Sequence, residues 1–299
     1  MYLLYFYEYP RHFYRKSTRS IRLSRKPRLK FDEIGYWSEI KLDIVREYAQ
    51  AYSTILSVQR GLKHVYIDAF AGAGVHISKT TGKFVKGSPL NALYLEPPFL
   101  EYYFIDTDKA KVDVLKEIAT GKSNVHIYGG DCNDVLLKDV FPMVRYEDYR
   151  RGLCLLDPYG IHLDWKVIES AGKMKSIEIF LNFPVMDMNM NVLWHNPQGV
   201  DKADIKRMNA FWGDQSWRKI AYTEEMMLFG PEDKRADIKV VANAFRKRLE
   251  EVAGFEYVPE PMPMKNTKGG IVYYLFFASQ NRTGEKILKD IFNKYRERM

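Results

Sequence analysis

Cysteine is scarce. The 299 residues hold two, Cys132 and Cys154, in separate segments. That usage argues against a disulfide framework and for a reducing cytosol, so a cytoplasmic protein is expected. No second cysteine or histidine stands at ligand spacing, which argues against zinc. No apolar run reaches eighteen residues, so no membrane-spanning helix is expected. The opening MYLLYFYEYP is apolar, but it lacks a preceding basic region and a small-residue cleavage site, and so does not read as a secretory signal. No internal period suggests a repeat fold. His64, His76, His126 and His162 show no dyad partner, and no nucleophile elbow or triad is visible.

What is present suits a globular chain. Hydrophobic residues make up 46% and charged residues 28%, enough for a sizeable core in one large domain or two small ones. The net charge of +8 is concentrated in residues 11–30, RHFYRKSTRSIRLSRKPRLK, a stretch without a single acid. Residues 1–30 read as a basic aromatic arm, either laid along a phosphate backbone or simply solvated.

From residue 31 a regular alternation begins. Trp37, Ile40, Ile44, Tyr48, Tyr52 and Ile55 recur at helical spacing and predict an amphipathic helix. HVYID (64–68), YYFID (102–106), VHIY (125–128), LCLLD (153–157) and IEIFLNF (177–183) read as buried strands with helices between them. That order predicts a parallel sheet covered on both faces. Residues 76–86, HISKTTGKFVK, are expected as a polar, basic loop, and GSPLNALYL as a helix capped by Ser88. Residues 184–232, rich in methionine and aromatics, show no strand signal and are expected as a helical insertion. A helix (RADIKVVANAFRKRLEEVAG), an antiparallel pair turning near Lys268-Gly269-Gly270, and a last helix (GEKILKDIFNKYRER) close the chain.

Ligands of doubly wound sheets bind outside the carboxyl ends of the strands. Asp68, Asp106, Asp131, Asp157 and Asn182 all fall at such ends. Gly72 and Gly74 permit a tight turn and close approach of backbone to a ligand. The third glycine of G-x-G-x-x-G is missing, and the helix starts only near Ser88, which weakens a phosphate-cradling role. A nucleoside with a charged tail, such as S-adenosylmethionine, fits better. A carboxylate at the end of the second strand suits ribose hydroxyls: Asp106 fills that place. Asp108 is the near alternative, or else the cap of the following helix. Asp131 either takes an adenine amino group or belongs to a turn before a helix capped by Asn133 or Asp134. Asp157 either contributes chemistry or caps the next helix.

Asn182, Asp187, Asn189, Asn191 and His195 form a cluster of oxygen and nitrogen ligands, but only Asp187 brings charge and the spacing fits no ion loop, so no metal is expected. Met186, Met188 and Met190 either pack in the core, the favoured reading, or form an adaptable surface. Lys41, one helical turn from Trp37, reaches a ligand carboxylate or is solvated. Lys79, Lys83 and Lys86 favour a nucleic acid.

DAFAGAG, FIDTD, GDC and DPYG resemble the successive motifs of class I S-adenosylmethionine-dependent methyltransferases. The chain is similar, more closely still, to the three-Cys-motif partner proteins (TcmP). That likeness runs from Phe31 to the C-terminus on FDEIGYWSEIKLDIVREYAQAY, KGSPLNAL, LLDPYG and FLNFPVMDMNMN. It implies an α/β fold: a Rossmann-like, doubly wound, seven-stranded sheet over 31–299, with the helical insertion after the fifth strand. It also implies S-adenosylmethionine as cofactor and a companion protein with a three-cysteine motif, which resembles iron–sulfur ligation. Carried over by position, Asp68, Gly72 and Gly74 line the methionine end, Asp106 the ribose and Asp131 the adenine, and Ala69, Phe70, Asp108 and Cys132 complete the cofactor site. Enzymes of this kind that methylate exocyclic amines carry an acid or amide, two prolines and an aromatic. Asp157, Pro158 and Tyr159 supply three of these; the second proline is missing, and Gly160 follows instead. The expected function is methyl transfer to a nucleic acid or modified nucleotide; the alternative is a binding partner for a three-cysteine-motif enzyme.

Overall fold

The structure, a computed structural model, describes residues 31–227 and 230–297. The basic arm over 1–30, and both readings of it, lie outside the described residues.

The chain runs β1 (Glu33–Ile34), α1 (Tyr36–Ser57), β2 (Lys63–Asp68), β3 (Val75–Ser78), β4 (Phe84–Lys86), α2 (Ser88–Leu93), β5 (Glu101–Asp106), α3 (Lys109–Ile118), β6 (Val125–Gly129), α4 (Cys132–Val135), β7 (Arg150–Leu156), α5 (Trp165–Met174) and β8 (Ile177–Phe183). It continues through α6 (Val185–Asn191), α7 (Lys202–Trp212), α8 (Trp217–Ala221), β9 (Tyr222–Met227), β10 (Gly230–Arg235), α9 (Ile238–Glu251), β11 (Met262–Lys265), β12 (Ile271–Ala278) and α10 (Arg282–Arg296).

The central sheet has seven strands in the order β11-β12-β8-β7-β2-β5-β6. From β6 to β8 neighbouring strands are parallel, while β12 runs antiparallel to both β8 and β11. The expected doubly wound, seven-stranded α/β architecture is therefore present. Its strands are apolar throughout because both faces are covered. Val65 and Ile67 of β2 belong to the core on one face, which also holds Leu163, Val167 and Phe245. Tyr66, between them, belongs to the core on the other face, which also holds Tyr48 of α1 and Phe292 of α10. This is the alternation of a pleated strand with a core on each side.

Three expectations need correction. Residues 76–86 are not a loop: β3 and β4 pair antiparallel, and β1 adds to β3 in parallel. The stretch 84–86, FVK, has the β-branched and aromatic content of a strand, masked in sequence by the flanking lysines. The insertion is not free of strands, since β9 and β10 form an antiparallel ribbon at its end. Ser88 is not the helix cap. Gly87 holds that position, and Ser88 is buried as the first helical residue.

Candidate cofactor and substrate site

At the carboxyl edge of the parallel strands a cavity of about 850 Å³ opens, within the range of about 300–1,000 Å³ usual for small-molecule sites. It is lined by residues from every strand end that the sequence singled out except the first: Asp106 and Asp108, Asp131 and Cys132, Asp157 with Pro158 and Tyr159, and Asn182. Lys41, Ala69, Phe70, Gly72 and Lys79 also line it. Three expected contributors do not. Asp68 is fully buried behind the turn. Gly74 faces Ile118, Leu90 and Leu115, so its missing side chain serves packing. Lys83 is exposed in the ribbon turn, away from the lining.

The glycine turn is built on hydrogen bonds to carboxylates. Asp106 Oδ2 accepts the Gly72 amide at 2.8 Å and Oδ1 accepts the Asp108 amide at 2.8 Å. Gly72 has φ +64°, a left-handed backbone that a side chain resists. Asp108 caps α3 by accepting from Ala110 at 2.8 Å, and Asp131 caps α4 by accepting from Asn133 at 2.8 Å. The cap of α4 is thus Asp131 rather than Asn133 or Asp134. Asp68 Oδ1 accepts the Phe70 amide at 3.2 Å. Burial pushes the Asp68 carboxyl up to about 7, with the Ser88 hydroxyl and the Phe70 amide holding it back.

Asp157 does not cap a helix; Asp164 holds that position in α5. Asp157 Oδ2 instead accepts from the Lys41 ammonium in a close ion pair. Lys41 is therefore not solvated: it is only 6% exposed and lies over the Tyr273 ring, 5.4 Å from its centre. Asn182 donates Nδ2 to the Pro158 carbonyl at 3.1 Å. A carbonyl only accepts, so this bond fixes which end of the amide is oxygen.

Among the described residues, the buried side-chain nitrogens and oxygens with no hydrogen-bond partner are Asp68 Oδ2, His76 Nδ1 and Asn182 Oδ1. All three residues belong to this edge, and His76 and Asn182 line the cavity. Unsatisfied buried polar atoms are costly, at about 1–3 kcal/mol each, and their gathering at one edge marks a place built for something other than stability. Burial keeps His76 neutral by lowering its basicity, with Lys41 adding to that effect.

Sequence reasoning missed two parts. His76 directly follows the glycine turn, and that adjacency was the available signal. Asp187 stands out in the sequence only as the charged member of a polar cluster, with nothing to signal its contact to the turn after β7. Its Oδ2 accepts the Ile161 amide at 2.9 Å, and its Oδ1 accepts from Asn191 at 2.6 Å. A side chain on Gly160 would sit 2.6 Å from that carboxylate, which explains glycine after Tyr159. The methionines divide: Met188 is buried, whereas Met186 and Met190 are 52% and 61% exposed and line the cavity, so core packing holds only for the first. Cys154 is fully buried, as expected for a strand residue, and the Cys132 thiol, pushed up to about 12 by burial, stays protonated. Among the described residues no cluster of histidine, cysteine and acids suited to a metal ion occurs, and no helix is long and apolar enough to cross a membrane.

No family model matches the chain, and no curated protein matches it. Solved structures do. LPL1258 from Legionella pneumophila is 12% identical over 87% of this chain and 91% of its own, with a TM-score of 0.51. The yhhF protein of Escherichia coli, provisionally described as a methyltransferase, is 13% identical over 80% and 88%, at 0.36. TYW2 of M. jannaschii, solved in complex with AdoMet, is 14% identical over 81% and 76%, at 0.33. At such identities likeness speaks for the fold alone, and only the first overlap is close enough to carry weight. It shows a fold shared with that protein, and the strand order describes that fold as a doubly wound α/β sheet.

Proposed function

We propose that the protein is an S-adenosylmethionine-dependent methyltransferase acting on a nucleic acid or modified nucleotide, working beside a three-cysteine-motif protein. The observation that carries this reading is the convergence of Asp106, Asp131, Asp157 and Asn182 on one cavity at the sheet's carboxyl edge. The residues fit the cofactor. Each Asp106 oxygen already accepts one backbone amide and has a second lone pair for a ribose hydroxyl. Asp131 keeps an oxygen for an adenine amino group. The turn at Ala69, Phe70 and Gly72 brings backbone to the methionine end, with Asp68 behind it favouring a cation.

S-adenosylmethionine, when bound, supplies an electrophilic methyl group. The chain's own work is then alignment of the acceptor. Asp157 accepts an N–H of the acceptor and holds its lone pair toward the methyl. Lys41 fixes the Asp157 carboxylate, Asn182 fixes the Pro158 carbonyl, and Tyr159, 78% exposed at the mouth, gives a ring on which a base stacks.

The test is calorimetry with S-adenosylmethionine on wild type and Asp106→Ala, followed by transfer of labelled methyl to RNA or DNA. Binding lost in Asp106→Ala and transfer lost in Asp157→Ala support the reading; absence of cofactor binding by the wild type overturns it. A second reading, a non-catalytic partner that keeps only cofactor binding, is favoured by one observation. Asp157 is already engaged by Lys41 and the Pro158 carbonyl by Asn182. Cofactor binding without transfer to any nucleic acid, together with capture of a three-cysteine-motif protein, favours it.

A further inference from the structure

The mouth of the cavity combines apolar walls with a charged floor. Tyr159 stands on one side, on the turn after β7. Met186 and Met190 stand one helical turn apart on α6, so they share a face. Asp187, between them in sequence, accepts the Ile161 amide and sits where a side chain on Gly160 would be. That bond ties the methionine helix to the turn that carries Tyr159, so the two walls are fixed relative to each other before anything binds. Below them lies the Lys41–Asp157 pair, with the ammonium almost fully buried.

We infer that this mouth receives one unpaired nucleobase, its ring between Tyr159 and the Met186–Met190 face and its hydrogen-bonding edge on the Lys41–Asp157 pair. The inference rests on the methyltransferase reading and names the class of acceptor. An aliphatic side chain or an apolar helix in this mouth would leave the ion pair dry and unanswered, which is unfavourable. A flat heteroaromatic ring answers both parts. Its faces meet a ring and polarizable thioethers. Its edge offers a hydrogen to Asp157 and an adjacent ring nitrogen or carbonyl oxygen to Lys41. That edge is occupied in a duplex, so the base must be unpaired. Lys79, exposed and lining the same mouth, supplies charge for the strand's phosphates.

The test uses fluorescein-labelled twelve-nucleotide RNA and DNA of mixed sequence, single-stranded and annealed, in anisotropy titrations with saturating S-adenosylhomocysteine. Binding of S-adenosylhomocysteine itself is measured by calorimetry on the same samples. Single strands of at least one type bind about tenfold or more tighter than their duplex, as stacking contacts are worth. Met186→Gln with Met190→Gln, which keeps length but not apolarity, weakens the single strand about tenfold; Met186→Leu with Met190→Leu restores it. Asp157→Ala removes discrimination between adenosine and purine riboside as competitors, because the exocyclic amine that purine riboside lacks is the group whose hydrogen Asp157 accepts. Both methionine pairs are exposed, so melting temperatures should match wild type. If S-adenosylhomocysteine does not bind the wild type, the methyltransferase reading fails. If it binds but duplex and single strand are equal, no strand binds, or the glutamine pair binds like wild type, the inference is overturned. Loss of three-cysteine-protein capture by the glutamine pair, with oligonucleotide binding intact, overturns it in favour of a protein surface.

Discussion

Glu178 provides a test of the electrostatics that is independent of any ligand. It lies near the amino end of β8, at the edge of the sheet opposite the cavity, and is 9% exposed. Its Oε2 accepts from the Tyr48 hydroxyl at 2.5 Å and its Oε1 from the Ser279 hydroxyl at 2.9 Å. Burial pushes its carboxyl up to about 7, against an ordinary value of 4.5, with the two hydroxyls holding it back. A raised folded-state value means the proton is held more tightly in the fold than in the open chain. The stability from that proton is fully present below 4.5 and is lost as pH rises through about 7. At about 1.4 kcal/mol for each tenfold change in proton affinity, the loss is about 3 kcal/mol. Glu178→Gln keeps a hydrogen-bonding amide and removes the proton. Urea unfolding of both proteins at pH 5 and pH 8 measures the difference. Wild type should lose about 2.5 kcal/mol more than the variant between those values, since part of the change lies below pH 5. Asp68, raised for the same reason, contributes equally to both proteins and cancels. Parallel pH dependence in the two proteins would refute the reasoning.

Asp68 itself should set the pH dependence of cofactor affinity. Its carboxyl ionises near 7, and the ionised form favours a sulfonium, so affinity should rise from pH 6 to pH 8 in calorimetry and lie flat in Asp68→Asn. Gly160→Ala places a side chain 2.6 Å from the Asp187 carboxylate; thermal unfolding should report a loss of about 1–3 kcal/mol from overpacking, with weaker binding of single strands because Tyr159 shifts. Asp106→Asn puts an amide where the Gly72 and Asp108 amides need acceptors. Calorimetry should show at least tenfold weaker cofactor binding, equivalent to about 1.4 kcal/mol.

The fold was legible because its strands are buried on both faces, and strands so placed read as apolar runs. β8, IEIFLNF, is buried along its whole length and was found to the residue. Short edge elements were not legible. β4 has three residues, of which two are exposed, and nothing in a single sequence separates it from a polar loop. β9 and β10 gain their order by pairing with each other rather than from an apolar pattern. At the site, the residues that terminate strands were legible because topology puts every strand end on one rim. Partners distant in sequence were not. Lys41 and Asp157 lie 116 positions apart, and whether a lysine is solvated or buried against an acid depends on how α1 crosses the sheet.

The missing second proline, with Gly160 after Tyr159 instead, reads differently once Asp187 is placed. In the sequence it is a departure from the amine-methylating pattern and weakens that assignment. In the structure the absence of a side chain is what lets the Asp187 carboxylate approach and accept the Ile161 amide. Any side chain at 160 would fill that space. The same glycine that breaks the motif therefore secures the turn by another route, a carboxylate from α6 in place of a rigid ring. A turn stabilised in this way still presents Asp157, the Pro158 carbonyl and Tyr159 to one cavity. The missing proline is thus weak ground for denying the site its chemistry, and the state of Asp157 beside Lys41 is the stronger question for experiment.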